Sequence, residues 1–214
     1  MDQTPRSFPT RRALIAGALA VWPGQGLAQS RPVVTVLGDS ITAGLGLPRN
    51  AALPVQLQAQ LRKLGANVVV RGAGVSGDTT AGGLARVDFS VQKDTDVCVV
   101  ALGGNDLLQG LDPKRTRVNL DKIVARLRAR KIAVVVAGLQ PPPVIGRTYA
   151  RDFQAVFPAV AKAHGAFLYP NLLAGVAQVA RLNQSDGFHP NAQGVVVIAQ
   201  GLAPVVARAL KARA

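Results

Sequence analysis

Cysteine, histidine and tryptophan are nearly missing from this chain: one Cys, two His and one Trp among 214 residues. A single cysteine cannot close an internal disulfide. Cys98 sits in the apolar run 96–102, where Val97 and Val99 offer nothing to lower a thiol pKa. It therefore reads as a small buried hydrophobe rather than a nucleophile. Two histidines and one cysteine are too few for the usual zinc clusters, so no metal site is expected. Aromatic residues are only 4% of the chain, so the core must be built from Val, Ala and Leu, and stacking platforms for sugar rings are scarce. Acidic residues are outnumbered, 11 against 25 Lys and Arg, for a net charge of +14.

That charge is scattered. Its densest group, Arg126, Arg128, Arg130 and Lys131, falls at a predicted helix end, where cations suit the helix dipole. Solvated surface is the first reading of the excess and a weak attraction to an anionic membrane surface the second; nucleic acid is not an expected partner. Charged residues reach 17% and apolar residues 49%, a balance that excludes general disorder. The length predicts one domain able to bury a core without staples.

A long hydrophobic run near the start is also lacking. The stretch Ala13 to Trp22 is too short to span a bilayer, which takes about 20 residues. With Thr10-Arg11-Arg12 before it and Pro23, Gly24 and the small-residue site Gly26-Leu27-Ala28 after it, it has the parts of an export signal over residues 1–28. The paired arginines resemble a twin-arginine signal. The expected domain is then 29–214, periplasmic or secreted once the signal is removed. The rival reading is a basic leader on a cytoplasmic protein.

From Val33 onward, short β-branched runs alternate with longer amphipathic ones. Strands are predicted at 33–37, 68–70, 96–102, 132–137 and 166–169, and helices at about 52–64, 79–91, 114–130, 148–163 and 191–210. The strands are continuous apolar runs, as in parallel sheets covered on both faces. Strand–helix alternation implies an open parallel sheet with right-handed crossovers, whose ligands bind at the carboxyl ends of the strands. Gly65 and Gly165 sit where helices end, Asp112-Pro113 where one begins, and Pro204 should kink or restart the last helix. The run Pro141-Pro142-Pro143 reads as a stiff loop on the ligand side.

Three segments carry chemistry. Gly38-Asp39-Ser40-Ile41 places a hydroxyl just past the first strand, its N–H near a helix start; the plain alternative is a helix cap. Gly103-Gly104-Asn105-Asp106 places an amide with two N–H donors at the same edge; the alternative is an ordinary turn. Asp186-Gly187-Phe188-His189-Pro190 offers a carboxylate beside the better-placed histidine; the alternative is a cap and a surface His. The other histidine, His164, stands at a helix end, where it should meet the last carbonyls. Together the three segments supply a nucleophile, an anion-stabilising amide and a base with its orienting acid. Gly72-Ala73-Gly74-Val75-Ser76-Gly77 matches a dinucleotide fingerprint, but after the second strand and without the acidic residue that should follow. It reads instead as a glycine loop exposing N–H groups, with Gly77 near the reacting centre.

These residues resemble the SGNH (GDSL) hydrolase family, and within it the bacterial acyl-CoA thioesterase I / lysophospholipase L1 / arylesterase group. The resemblance rests on Ser40 in Gly-Asp-Ser, Gly77 in Ser-Gly-Asp-Thr, Asn105 in Gly-Gly-Asn-Asp and His189 in Asp-Gly-Phe-His-Pro. It extends to Gly83-Leu84-Ala85-Arg86 and to Gly146-Arg147 with Tyr149. It implies a three-layer flavodoxin-like α/β fold with a five-stranded parallel sheet of order 2-1-3-4-5. It also implies Ser40 as nucleophile, His189 as base, Asp186 as orienting acid, and an oxyanion hole of the Ser40 and Gly77 N–H groups with the Asn105 side chain. No cofactor is called for.

The expected activity is hydrolysis of esters or thioesters of apolar acyl groups, with a small acyl-ester or lipid-like substrate and a monomeric or small homo-oligomeric protein. Leu107, Leu108, Leu111 and Pro142 are the candidate acyl-binding residues, though leucine spacing alone suits core equally well. The alternatives are a carbohydrate O-deacetylase of the same family and a non-catalytic envelope binding protein.

Overall fold

The computed structural model describes residues 1–2 and 31–212; nearly all of the expected export signal lies outside the described residues. From Val33 the backbone forms β1 (Val33–Gly38), β2 (Val69–Gly74), β3 (Val97–Ala101), β4 (Ala133–Ala137) and β5 (Phe167–Tyr169). They make one five-stranded sheet of order β2-β1-β3-β4-β5, every pairing parallel. The helices are α1 (Ser40–Ala43), α2 (Leu53–Lys63), α3 (Thr80–Ser90), α4 (Gly104–Leu108), α5 (Pro113–Ala129), α6 (Arg147–Ala163) and α7 (Ala192–Ala212).

The connection β1 to β2 runs one way across the sheet and the later three run the other way. Right-handed crossovers then put α2 on one face and α3, α5 and α6 on the opposite one. α7 returns to pack on α2, while α5 contacts both α3 and α6. The central strands β1, β3 and β4 are buried throughout, as their apolar runs require; β2 and β5, at the edges, are half-buried.

Register brings the chemistry-bearing segments together. Gly38, the last residue of β1, lies level with Gly74 on β2 and Ala101 on β3. The loops that leave these three strands therefore start side by side.

Several expectations change. β2 runs on through Gly72 and Gly74, so these glycines lie in a strand and not in a loop. A Cβ on Gly74 would fall 2.3 Å from the Ala43 nitrogen, so its bareness lets α1 lie directly on the strand. Pro204 neither restarts nor interrupts α7, and Pro158 stands unannounced inside α6. Both prolines are exposed and follow an exposed glutamine, Gln200 or Gln154, by four residues. Each proline therefore lies on the solvent side of its helix, where water can satisfy a freed carbonyl and lower the cost of the missing bond. α7 is long and apolar enough to cross a membrane, but Val195, Ile198, Leu202 and Val206 on its inner side are core residues. Arg130 turns inward and donates to the Val91 and Gln92 carbonyls (2.5 and 3.0 Å), closing the end of α3, so it is not simply solvated. His164 Nε2 meets Asp121 Oδ1 of α5 at 2.9 Å rather than the final carbonyls of α6, because those carbonyls are taken by Gly165 and Ala166. Cys98 is fully buried and its thiol is pushed up to about 12 by that burial.

Candidate active site

Asp39 caps α1, its Oδ1 accepting from the Ile41 N–H at 3.1 Å. Ser40 is thus the first helical residue, with its own N–H unclaimed by the α1 turn. The capping and chemical readings of this segment are compatible: Asp39 makes the cap, and Ser40 is left to face the site.

Ser40 Oγ lies 2.9 Å from His189 Nε2, across 149 residues of sequence. On the far side of the ring, His189 Nδ1 lies 2.6 Å from Asp186 Oδ2. The second oxygen, Asp186 Oδ1, accepts from the Phe188 and His189 N–H groups, both at 2.9 Å. Gly187 sits between them at φ +75°, a turn that a side chain would strain. The His189 N–H bond, the ring contact and then the Phe188 N–H bond hold the Asp186 carboxyl down at about 2. A carboxylate ionised at neutral pH can only accept. Nδ1 must therefore carry the hydrogen, which leaves Nε2 to accept from the Ser40 hydroxyl.

The loop that carries His189 is braced by amides that sequence reading passed over. Gln184 joins the segments that carry Ser40 and His189: its N–H donates to the His189 carbonyl at 2.8 Å, and its Nε2 donates to Leu45 O at 2.8 Å and Pro190 O at 3.1 Å. Asn183 Nδ2 donates to Val176 O (2.8 Å) and Val179 O (3.0 Å), and Asn191 Nδ2 to Arg181 O (2.9 Å). The Leu45 carbonyl is 139 residues from Gln184, so no local pattern would have flagged the link.

Asn105 enters α4 after Gly103, whose φ is +116°. One hydrogen of its amide is engaged, with Nδ2 donating to the Asp78 carbonyl at 2.9 Å. Among the described residues no acceptor takes the second, which leaves it as a donor for a ligand. Asp106, wholly buried, accepts from the Thr80 N–H (2.8 Å), Thr80 Oγ1 (2.5 Å) and Thr116 Oγ1 (3.1 Å), and so ties α4 to α3 and α5. The loop 75–79 between β2 and α3 is thus held at Asp78 and at Thr80. Gly77 lies within it at φ +84°.

A narrow crevice beside Ser40 and His189, with no room for a water molecule, is lined by Ile41, Leu45, Leu47, Gln184 and Pro190. The four candidate acyl-binding residues are not in that lining. Leu107 is half-buried against the core, Leu108 is 64% exposed, and Leu111 and Pro142 are half-buried. They stand on the segments that follow β3 and β4. Among the described residues no group of His, Cys, Asp and Glu could hold a metal ion.

A family model, the GDSL-like lipase/acylhydrolase family, matches residues 36–196. The chain belongs to that family. Esterase TesA of Pseudomonas aeruginosa is 38% identical over 183 residues, covering 84% of this chain and 90% of that one. Thioesterase 1/protease 1/lysophospholipase L1 of Escherichia coli K12 is 32% identical over 177 residues, covering 82% and 84%. The crystal structure of AlinE4, an SGNH-hydrolase family esterase, superposes with a TM-score of 0.71 at 41% identity, covering 85% of this chain and 97% of that one. Family and fold both place this protein among the hydrolases of ester bonds.

Proposed function

We propose that this GDSL-family hydrolase is a serine esterase and thioesterase for apolar acyl substrates, with Ser40 as nucleophile. The observation that carries the reading is the unbroken line of contacts from Asp186 through His189 to Ser40, at 2.6 and 2.9 Å. His189 Nε2 takes the hydroxyl proton as Ser40 Oγ bonds to the acyl carbon. The carbonyl oxygen becomes an oxyanion, which the Ser40 and Gly77 N–H groups and the free hydrogen of Asn105 Nδ2 receive. His189 returns the proton to the departing alkoxide or thiolate, and the acyl group stays on Ser40. Water then repeats the sequence and releases the acid. Each oxyanion donor is worth about 10²–10³ in rate. The balance of these steps requires no cofactor.

Apolar residues around the site support the choice of substrate. Leu45, Val75, Leu108, Val144 and Phe188 are all exposed, and each follows the carboxyl end of a strand or borders His189. Acyl chains are expected to reach Leu107, Leu108, Leu111 and Pro142 on the β3 and β4 side of Ser40. The same apolar rim, with the net charge of +14, supports a weak attraction to anionic membrane surfaces. The basic, apolar and small-residue segments of 1–28 support export, with 29–214 as the mature domain; sequencing the N-terminus of the protein recovered from the periplasm should begin after Ala28.

The experiment for the chemistry is Ser40→Ala assayed on nitrophenyl acyl esters and acyl thioesters. Hydrolysis should fall by about 10³ or more with the circular dichroism spectrum unchanged. Activity within about tenfold of the wild type would refute Ser40 as nucleophile.

A further inference from the structure

The geometry points to Arg86 as a positioning residue that sets the oxyanion donors against Ser40. The inference rests on the proposed roles of Ser40, Gly77 and Asn105. Arg86, on α3, touches none of the reacting atoms. Its guanidinium instead gathers the backbone beneath them. Nη2 donates to the Gly38 carbonyl at 2.8 Å, at the end of β1 and two residues before Ser40. Nη1 donates to the Ala73 carbonyl at 2.9 Å, near the end of β2. Nε donates to Asp78 Oδ2 at 2.6 Å, and the two side chains are only 18% and 17% exposed.

Asp78 passes the constraint on. It follows Gly77 directly, and its carbonyl accepts from Asn105 Nδ2 at 2.9 Å. One planar fork thus spans the segment bearing Ser40, the segment bearing Gly77 and, through Asp78, the amide of Asn105. Only a guanidinium reaches three acceptors in fixed directions.

A second observation points the same way. Gly82 lies in the first turn of α3, although glycine is among the poorest helix formers. A Cβ there would fall 2.5 Å from Asp78 Oδ1 and 3.0 Å from its Cγ. That carboxylate cannot swing aside while it is held by Arg86, so the bare position keeps Asp78 in place.

The test uses Arg86→Gln and Arg86→Lys in the full chain, each alone and combined with Asn105→Ala, on a soluble nitrophenyl acyl ester. Circular dichroism and Tm report the fold. In Arg86→Gln, kcat should fall about 10- to 100-fold, as for small misplacements of a catalytic group, while KM moves less than about threefold. Arg86→Lys, which keeps the charge but not the fork, should fall between. In the Asn105→Ala background the same change should cost at least about threefold less than in the wild type, because one of the donors it positions is already gone. Unchanged kcat in a folded Arg86→Gln enzyme, or an equal loss in both backgrounds, overturns the inference. Should Arg86→Gln not fold, Gly82→Ala crowds Asp78 without altering the guanidinium; the same loss and the same non-additivity are expected, and an unchanged kcat again overturns it. Ser40→Ala run in parallel separates the two readings. If it stays active, the reading of the site fails; if it is dead while Arg86→Gln is normal, only the role of Arg86 fails.

Discussion

Asp39 is a carboxyl group in the wrong surroundings for a charge, and its replacement by asparagine should make the protein more stable at neutral pH. The side chain is 5% exposed. Burial pushes its pKa up from 3.8 to about 6; the Ile41 N–H bond and the proximity of His189 pull it down, and Asp78 adds to the rise. A folded-state value above the unfolded one means that the folded form holds the proton more tightly. The resulting stabilisation is fully present below pH 3.8 and is lost as pH rises through about 6. A gap of about two units, at 1.36 kcal/mol each, is about 3 kcal/mol. Asparagine keeps an oxygen for the Ile41 N–H and cannot ionise. The unfolding free energy of the wild type, relative to Asp39→Asn, should therefore drop by about 3 kcal/mol between about pH 3 and pH 7. In a chain of this length that is a difference of roughly 6–12 °C in Tm. Urea and thermal unfolding followed by circular dichroism would measure it. Parallel pH curves for the two proteins, offset by a constant, would refute the reasoning.

Asp186→Asn should lower kcat by about 10²–10⁴ by unsettling the His189 tautomer. Because its carboxyl is held down at about 2, ionised Asp186 contributes stability above pH 3.8 that is lost only as pH falls through 2; acid unfolding of the variant should lack that last step, and a kcat within threefold of wild type in the assay would contradict the role. Gly74→Ala drives a Cβ against the backbone of Ala43, Asp39 and Thr42. The clash should destabilise by about 1–3 kcal/mol and displace Ser40, so a thermal scan and an ester assay should both register a loss; a neutral result would mean that α1 moves freely.

Element order was legible because the apolar periodicities of this chain are strong and its caps are placed where helices begin and end. Asp112-Pro113 and Gly65 mark boundaries that the structure keeps within a residue or so. Ser40, His189 and Asp186 could be nominated because each sits where a strand or loop reaches the ligand edge. Gly72 and Gly74 misled, since glycine in a sequence speaks for turns, and only the tertiary closeness of α1 explains Gly74 in a strand; residues 75–77 do form the expected loop. The prolines of α6 and α7 misled for a similar reason, as exposure decides whether a proline breaks a helix. Asp106, Arg86 and Gln184 each hold a distant partner, 26, 48 and 139 residues away. No window along the chain could have shown what they hold.

The hydroxyl and the imidazole that meet here come from opposite ends of the folded unit, and the segment bearing His189 leads straight into the helix that completes the core. A polypeptide in which the segment bearing His189 and α7 have not yet docked consequently lacks the Ser40–His189 contact. On the proposed roles of these two residues, turnover doubles as a readout of assembled tertiary structure.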